Sequence, residues 1–181
     1  MELTNQQLLP VTQLQAWAAL NDTDLLRQCI PGCEAITPAG ENSYDCAITA
    51  AVGPVKARFK GKLRLSDITP PESYTLQFEA QAGAAGFGKG SAKVRLDPVS
   101  EQETMLHYNA QASVGGKLAQ IGSRLVDMAA QKMAAEFFEN FNVKLRERHP
   151  PSAAPESAPD APQRMGLVSR LIAWLRQLIH A

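Results

Sequence analysis

The spacing of apolar residues changes twice along this chain, and its first stretch predicts one strand and two short helices. The opening strand covers Glu2–Leu9. In the run Gln13–Leu20 the apolar residues lie at helical spacing. Asp22 supplies an N-cap oxygen for a second helix over residues 24–29, which Pro31 and Gly32 terminate.

Between residues 43 and 114 the spacing changes to a period of two, which is typical of half-buried strands. Gly53-Pro54 and Pro70-Pro71 interrupt this stretch and predict turns. In the run 55–65, apolar residues on one face alternate with basic residues on the other. The basic residues are Lys56, Arg58, Lys60, Lys62 and Arg64. We therefore predict an antiparallel meander in a sheet of six to seven strands.

From Lys117 the spacing becomes helical again and predicts one amphipathic helix of roughly thirty residues without proline. Its apolar positions are Leu118, Ile121, Leu125, Met128, Met133, Phe137 and Phe141. Such a helix buries its apolar stripe against a large apolar surface, and the concave face of a curved sheet supplies one. The predicted fold class is therefore α+β, with a curved antiparallel sheet around a long C-terminal helix.

A sheet that does not close completely on this helix leaves an apolar cavity between them. The alternative is a solid core made of the same residues, and periodicity does not separate the two. Small residues over 80–90 favour open space, because they leave little side-chain volume at one end of the sheet. The predicted lining residues are Phe59, Leu76, Phe78, Phe87, Val94, Leu106, Tyr108, Leu125, Met128 and Met133.

The segment 150–163 is rich in Pro, Ala and Ser and has no apolar periodicity, so it predicts an extended linker. At ~3.1 Å per residue it spans about 40 Å. The chain is thus divided into a helix-grip domain at 1–149, the linker at 150–163 and a tail at 164–181.

The tail predicts an amphipathic helix, with an apolar arc of roughly 160° opposite a basic face. It is shorter than the ~20 apolar residues that cross a bilayer and has two arginines in its middle, so it is expected to lie in the membrane interface. Docking on a partner protein, or on its own domain, is the alternative. The predicted membrane-docking residues are Leu167, Arg170, Leu171, Trp174, Leu175, Arg176 and Leu178.

Global charge gives no attraction to nucleic acid, since 18 basic and 18 acidic residues leave a formal net charge of zero. The first residues carry no basic segment followed by an apolar one, which argues against export. These features, together with the tail, predict a cytoplasmic protein that is peripheral on the inner face of the cell membrane.

Neither a catalytic residue nor a metal site is predicted. Cys29, Cys33 and Cys46 are an odd number of thiols without histidine or carboxylate at ligand spacing, so we interpret them as small buried hydrophobes. The three histidines, His107, His149 and His180, lack a neighbouring nucleophile and orienting carboxylate. We therefore expect a protein that is not an enzyme and has no covalently bound cofactor.

Four short segments carry a family resemblance: CIPGC at 29–33, VGPV at 52–55, FKG at 59–61 and GKLAQIG at 116–122. Their order and spacing over residues 1–148 resemble the CoxG family, which is named for the G subunit of carbon monoxide dehydrogenase. This resemblance implies the START-like helix-grip (SRPBCC) fold, whose members hold lipids, polyketides or hormones between sheet and helix.

The resemblance also implies an accessory role to a molybdenum hydroxylase of the carbon monoxide dehydrogenase type, in membrane recruitment or maturation. The implied partners are the hydroxylase complex, the membrane surface and an apolar small molecule, for which an isoprenoid quinone is the candidate. Two alternatives stay open at this point. One is a helix-grip enzyme of the cyclase or hydratase kind, and the other is a purely structural adaptor with a solid core.

Overall fold

The computed structural model describes residues 1–150, so the predicted tail and all but the first residue of the predicted linker lie outside the described residues. The strands are β1 (Glu2–Leu9), β2 (Cys33–Gly40), β3 (Ser43–Val52), β4 (Val55–Thr69), β5 (Ser73–Gln81), β6 (Phe87–Ser100) and β7 (Glu103–Gly115). The helices are α1 (Gln13–Leu20), α2 (Thr23–Cys29), α3 (Lys117–Gln120) and α4 (Ser123–Arg148).

The seven strands form one antiparallel sheet in the order β1-β7-β6-β5-β4-β3-β2. Strands β2 to β7 follow one another as hairpins, and β1 lies beside β7. Alternation in β4 places its apolar residues on one face and its basic residues on the other. The sheet and its C-terminal helix confirm the predicted α+β class.

Local capping explains where the first two helices begin. The Thr12 hydroxyl accepts a hydrogen bond from the Gln15 amide, and the Gln15 side chain accepts one from the Thr12 amide. The Asp22 carboxylate caps α2 by accepting from the Leu25 amide at 2.9 Å. Helix α1 has the predicted bounds, and α2 begins one residue earlier than predicted.

Two features differ from the sequence-based prediction. Strand β2 was not predicted as a separate strand, because Pro38 and Gly40 interrupt its alternation and its pairing with β3 is irregular. The predicted continuous helix from Lys117 is also wrong. It breaks at Gly122, whose φ of 98° is incompatible with a right-handed helix, so that α3 and α4 are separate.

The core fills one end of the molecule, where α1, α2 and the C-terminal half of α4 cover the sheet. It contains Leu9, Val11, Leu25, Leu96, Leu106, Phe141 and Leu145, all of which are at least 98% buried. Thr104 is fully buried there, and its hydroxyl donates to the Val11 carbonyl at 2.9 Å. Toward the other end the concave face of the sheet is only half-buried.

Candidate functional site

A partly enclosed cavity of ≈260 Å³ lies between the concave face of the sheet and helices α2 and α4. A solid core, one of the two alternatives left open by periodicity, is therefore not what this face forms. The helical wall consists of Leu20, Asn21, Thr23, Leu26, Ile30, Phe137 and Phe138. The strand wall consists of Ile36, Tyr44, Leu63, Leu65, Tyr74, Leu76, Ala92, Val94, Leu106 and Tyr108.

Aromatic rings form the part of the wall nearest the core. The ring of Tyr108 stacks on Phe138 with a centroid distance of 5.3 Å, and Phe137 packs edge-on to Phe138 at 5.0 Å. On β5, Tyr74 packs edge-on against Trp17 of α1 at 5.7 Å. These contacts connect the sheet to two helices and fix the orientation of the rings that border the cavity.

Four of the predicted lining residues lie in the cavity wall: Leu76, Val94, Leu106 and Tyr108. They share one face because β-strand residues paired directly across an antiparallel sheet point to the same side. Val94 pairs with Tyr74 on one neighbouring strand and with Tyr108 on the other. Alternation along the sequence was sufficient to predict this row.

Phe59 and Phe78 lie on the same concave face but outside the ≈260 Å³ cavity. Phe78 pairs with Leu63 and with Gly90. A Cβ atom at Gly90 would come within 2.8 Å of the Phe78 Cζ atom, so only glycine lets this ring lie flat across β6. Phe59, further along β4, pairs with Ile48. The two rings extend the apolar surface beyond the cavity.

The prediction that Phe87 lines the cavity is wrong. Phe87 is one residue out of phase with Gly88, which pairs with Ala80 on the concave face. Its ring therefore lies on the opposite face of the sheet, where it covers Gly115 and is 45% exposed. An apolar side chain at the first residue of a strand carries no sign of which face it occupies.

The prediction that Leu125, Met128 and Met133 line the cavity is also wrong. They border a surface depression next to the β3–β4 hairpin, and Leu125 and Met128 are 42% and 57% exposed. The buried stripe of α4 runs instead through Val126, Phe138, Phe141 and Leu145. Because apolar residues occupy adjacent faces of α4, their spacing did not determine which face meets the sheet.

The predicted set omitted Tyr74, Phe137 and Phe138, and also the α2 residues that close the cavity. Tyr74 and Phe137 carried a signal, since each lies at the expected spacing on an inward strand face or helix stripe. The contribution of Leu26 and Ile30 depends on how α2 packs over β2 and α4, which no local pattern encodes.

The described wall of the cavity contains no Asp, Glu, His, Lys, Arg or Cys residue. Its polar groups are three tyrosines, one asparagine and one threonine. Burial raises the pKa of Tyr74 and of Tyr108, for which a hydrogen bond with the Asn5 side chain partly opposes the rise. These phenols therefore stay protonated at neutral pH, and the site offers hydrogen bonds but no general base.

The three cysteines are free thiols and lie outside the cavity wall. Burial raises the pKa of each thiol, which keeps it protonated and unreactive. Within residues 1–150, no three His, Cys, Asp or Glu side chains are grouped closely enough to hold a metal ion.

The predicted membrane-docking residues, from Leu167 to Leu178, lie outside the described residues. In the described part of the chain, every helix is too short or too polar to cross a bilayer.

Solved structures share this architecture. A conserved protein from Geobacillus kaustophilus is 28% identical, with a TM-score of 0.77 over 81% of this chain and 96% of that chain. A START superfamily protein from Mycobacterium smegmatis has a TM-score of 0.64 at 8% identity, over 81% of this chain and 98% of that one. Zhui aromatase/cyclase from Streptomyces sp. R1128 gives a TM-score of 0.62 at 10% identity, over 82% of this chain and 94% of that one.

The likeness to these last two proteins establishes the fold alone, and it confirms the predicted START-like helix-grip architecture. No curated protein matches the sequence. The profile of the CoxG family, described as the G subunit of carbon monoxide dehydrogenase, matches residues 9–146. This range contains all four segments that carry the resemblance. The chain therefore belongs to the CoxG family of carbon monoxide dehydrogenase.

Proposed function

We propose that this protein is an accessory factor of a molybdenum hydroxylase of the carbon monoxide dehydrogenase type. In this proposal it recruits the hydroxylase to the membrane and carries an apolar lipid, such as an isoprenoid quinone, between the sheet and α4. The observation that carries the proposal is an apolar cavity, without ionisable groups that titrate near neutral pH, in a chain of the CoxG family.

The size of the cavity supports a ligand with a ring at one end. A cavity of ~150 Å³ accommodates benzene, and drug-sized pockets begin at about 300 Å³. A volume of ≈260 Å³ therefore suits a substituted ring but not a complete polyprenyl chain. The chain of such a lipid would continue along the half-buried concave face, past Phe78 and the small residues Gly88 and Gly90.

The chemistry of the wall supports binding over catalysis. Proton transfer near neutral pH needs a group that can gain and lose a proton, and burial raises the pKa of the wall residues Tyr74 and Tyr108 so that both stay protonated. Nucleophilic attack needs an activated hydroxyl or thiol, and the thiols lie elsewhere. An accessory role agrees with the family description, which is that of a component of carbon monoxide dehydrogenase.

The sequence of the tail supports the membrane part of the proposal. Each arginine near an anionic surface contributes about 1 kcal/mol, and an apolar helix face adds to this. Recruitment of this strength is reversible. With a linker of roughly 40 Å before it, the tail would leave the domain free to contact a partner enzyme at the cytoplasmic face of the membrane.

Liposome co-sedimentation tests recruitment. The full chain, a chain ending at residue 163 and the double variant Arg170→Gln/Arg176→Gln are sedimented with vesicles that contain phosphatidylglycerol. We expect the full chain to sediment, the truncated chain to stay in solution, and the double variant to bind more weakly and with less salt dependence. Equal binding by all three proteins would contradict membrane docking through the tail.

A second arm of the experiment adds the purified molybdenum hydroxylase from the same organism. We expect the hydroxylase to sediment with vesicles only when the full chain is present, and not with the chain ending at residue 163. A hydroxylase that stays in solution beside membrane-bound accessory protein would overturn the proposed partnership and leave membrane docking intact.

A further inference from the structure

Tyr74 is the most buried polar residue of the cavity wall. It is 9% exposed, whereas Asn21 is exposed and Thr23, Tyr44 and Tyr108 are half-buried. It lies on the inward face of β5, opposite Val94 of β6. The edge-on contact with Trp17 holds its ring from the side of α1. The phenol is therefore fixed in place at the deep end of the cavity.

The Tyr74 hydroxyl has no hydrogen-bond partner among residues 1–150, and desolvation alone accounts for its raised pKa. It is not one of the sealed polar atoms of this part of the chain, which are Asp127 Oδ1 and Asn142 Oδ1. Since its side chain lines the cavity, the hydroxyl retains access to the open space there.

The other polar groups of the wall are placed differently. The Tyr108 side chain forms a hydrogen bond with Asn5 at the edge of the sheet. The Asn21 amide donates to the Trp17 carbonyl at 2.8 Å and is exposed. Tyr74 thus differs from both in offering an uncommitted donor from a buried position.

A buried hydroxyl without a partner is unfavourable, and an acceptor atom on a ligand removes that cost. The donor stays available because burial raises the pKa of Tyr74 and keeps the phenol protonated. A charged ligand is disfavoured, since the described wall provides no Lys, Arg or His to pair with a carboxylate or phosphate.

We propose that the Tyr74 hydroxyl donates the hydrogen bond that orients the ligand, and that the cavity selects uncharged hydrophobic rings carrying an acceptor oxygen such as a ring carbonyl. This inference rests on the proposed carrier function and adds to it the chemical class of the ligand. It assigns Tyr74 the role of a specificity-determining residue.

The test uses two probes of nearly the same shape, 2-methyl-1,4-naphthoquinone and 2-methylnaphthalene, which differ in the carbonyl oxygens. Their binding to the full chain, to Tyr74→Phe and to Tyr108→Phe is measured by isothermal titration calorimetry. Tyr108→Phe is the matched control, because it removes a phenol from the same wall whose hydroxyl is already bonded to Asn5. Thermal melting of each variant checks that it is folded.

We expect the full chain to bind the quinone about three- to tenfold more tightly than the arene. Tyr74→Phe should lose this preference and keep its affinity for the arene, whereas Tyr108→Phe should keep the preference. Equal affinity of the wild-type protein for both probes would overturn the role of Tyr74 and leave the carrier function standing, whatever the variants do. Binding of neither probe would overturn the carrier function and this inference with it.

Discussion

The ring of Tyr108 on β7 stacks on Phe138 of α4, with their centroids 5.3 Å apart and their planes inclined at 25°. This contact joins the C-terminal half of the long helix to the centre of the concave face. Phe138 also packs edge-on against Phe137, which in turn stacks on Phe141 at 5.4 Å. One aromatic cluster thus serves both the core and the cavity wall.

Truncation of this cluster should be costly to stability. Phe138 is 8% exposed, and we expect Phe138→Ala to lower the free energy of unfolding by about 3 kcal/mol, because it removes the stacking contact and leaves a void. Urea denaturation followed by circular dichroism measures this. The Phe138→Leu variant retains most of the buried volume, so it should lose clearly less. An equal loss for both variants would show that the stacking geometry, not the volume, stabilises this region.

Filling the cavity should abolish ligand binding without unfolding the protein. Ala92 lies in the wall, and a space of ≈260 Å³ is large enough for the indole of an Ala92→Trp variant. Titration with 2-methylnaphthalene should detect at least about a tenfold loss of affinity. Ser91→Trp is the control, because Ser91 points to the opposite face of the same strand. Retained binding by Ala92→Trp would place the ligand elsewhere.

A buried hydrogen bond connects β7 to the segment that precedes α1. Thr104 is 0% exposed and donates to the Val11 carbonyl at 2.9 Å. Thr104→Val keeps the shape of the side chain but leaves that carbonyl without its donor, so we expect a loss of about 1 to 3 kcal/mol in the free energy of unfolding. Chemical denaturation tests this, and an unchanged midpoint would mean that the carbonyl finds another donor.

Stability should depend on pH through the N-cap of α2. The backbone amide of Leu25 and then the guanidinium of Arg148 hold the pKa of Asp22 below its ordinary value of 3.8. Its contribution is therefore complete above that value and is lost as the pH falls through the lowered pKa. We expect Asp22→Asn, which retains a capping oxygen, to lose less stability than the wild type between about pH 6 and about pH 3. Because the ion pair is partly exposed, the difference should be below about 1 kcal/mol. Parallel acid limbs for the two proteins would contradict this role of Asp22.

Strict local patterns accounted for most of the fold. The alternation in β4 and the capping residues around α1 and α2 each depend on neighbours in sequence, and both helices have the predicted bounds to within one residue. Strand β2 escaped prediction because Pro38 breaks its pattern while pairing with β3 still holds it in the sheet. Long-range pairing supplied what local propensity lacked.

The cavity was predictable on its sheet side and not on its helix side. A strand has two faces, and one buried residue fixes the assignment of the rest, as it did for Leu76 and Val94. Helix α4 carries apolar residues on adjacent faces, so a rotation of about 100° between Leu125 and Val126 exchanged the predicted stripe for the observed one. The break at Gly122 sets that rotation.

Uptake of a quinone from a membrane tests the central claim most directly. The full chain is incubated with phosphatidylglycerol vesicles containing a prenylated benzoquinone, released from them with high salt, and assayed for bound quinone by mass spectrometry. The account predicts that the wild-type protein and Ser91→Trp carry the quinone away, whereas Ala92→Trp does not. Equal quinone in the released wild-type and Ala92→Trp proteins, or none in either the wild type or Ser91→Trp, would contradict a carrier that holds its ligand in this cavity.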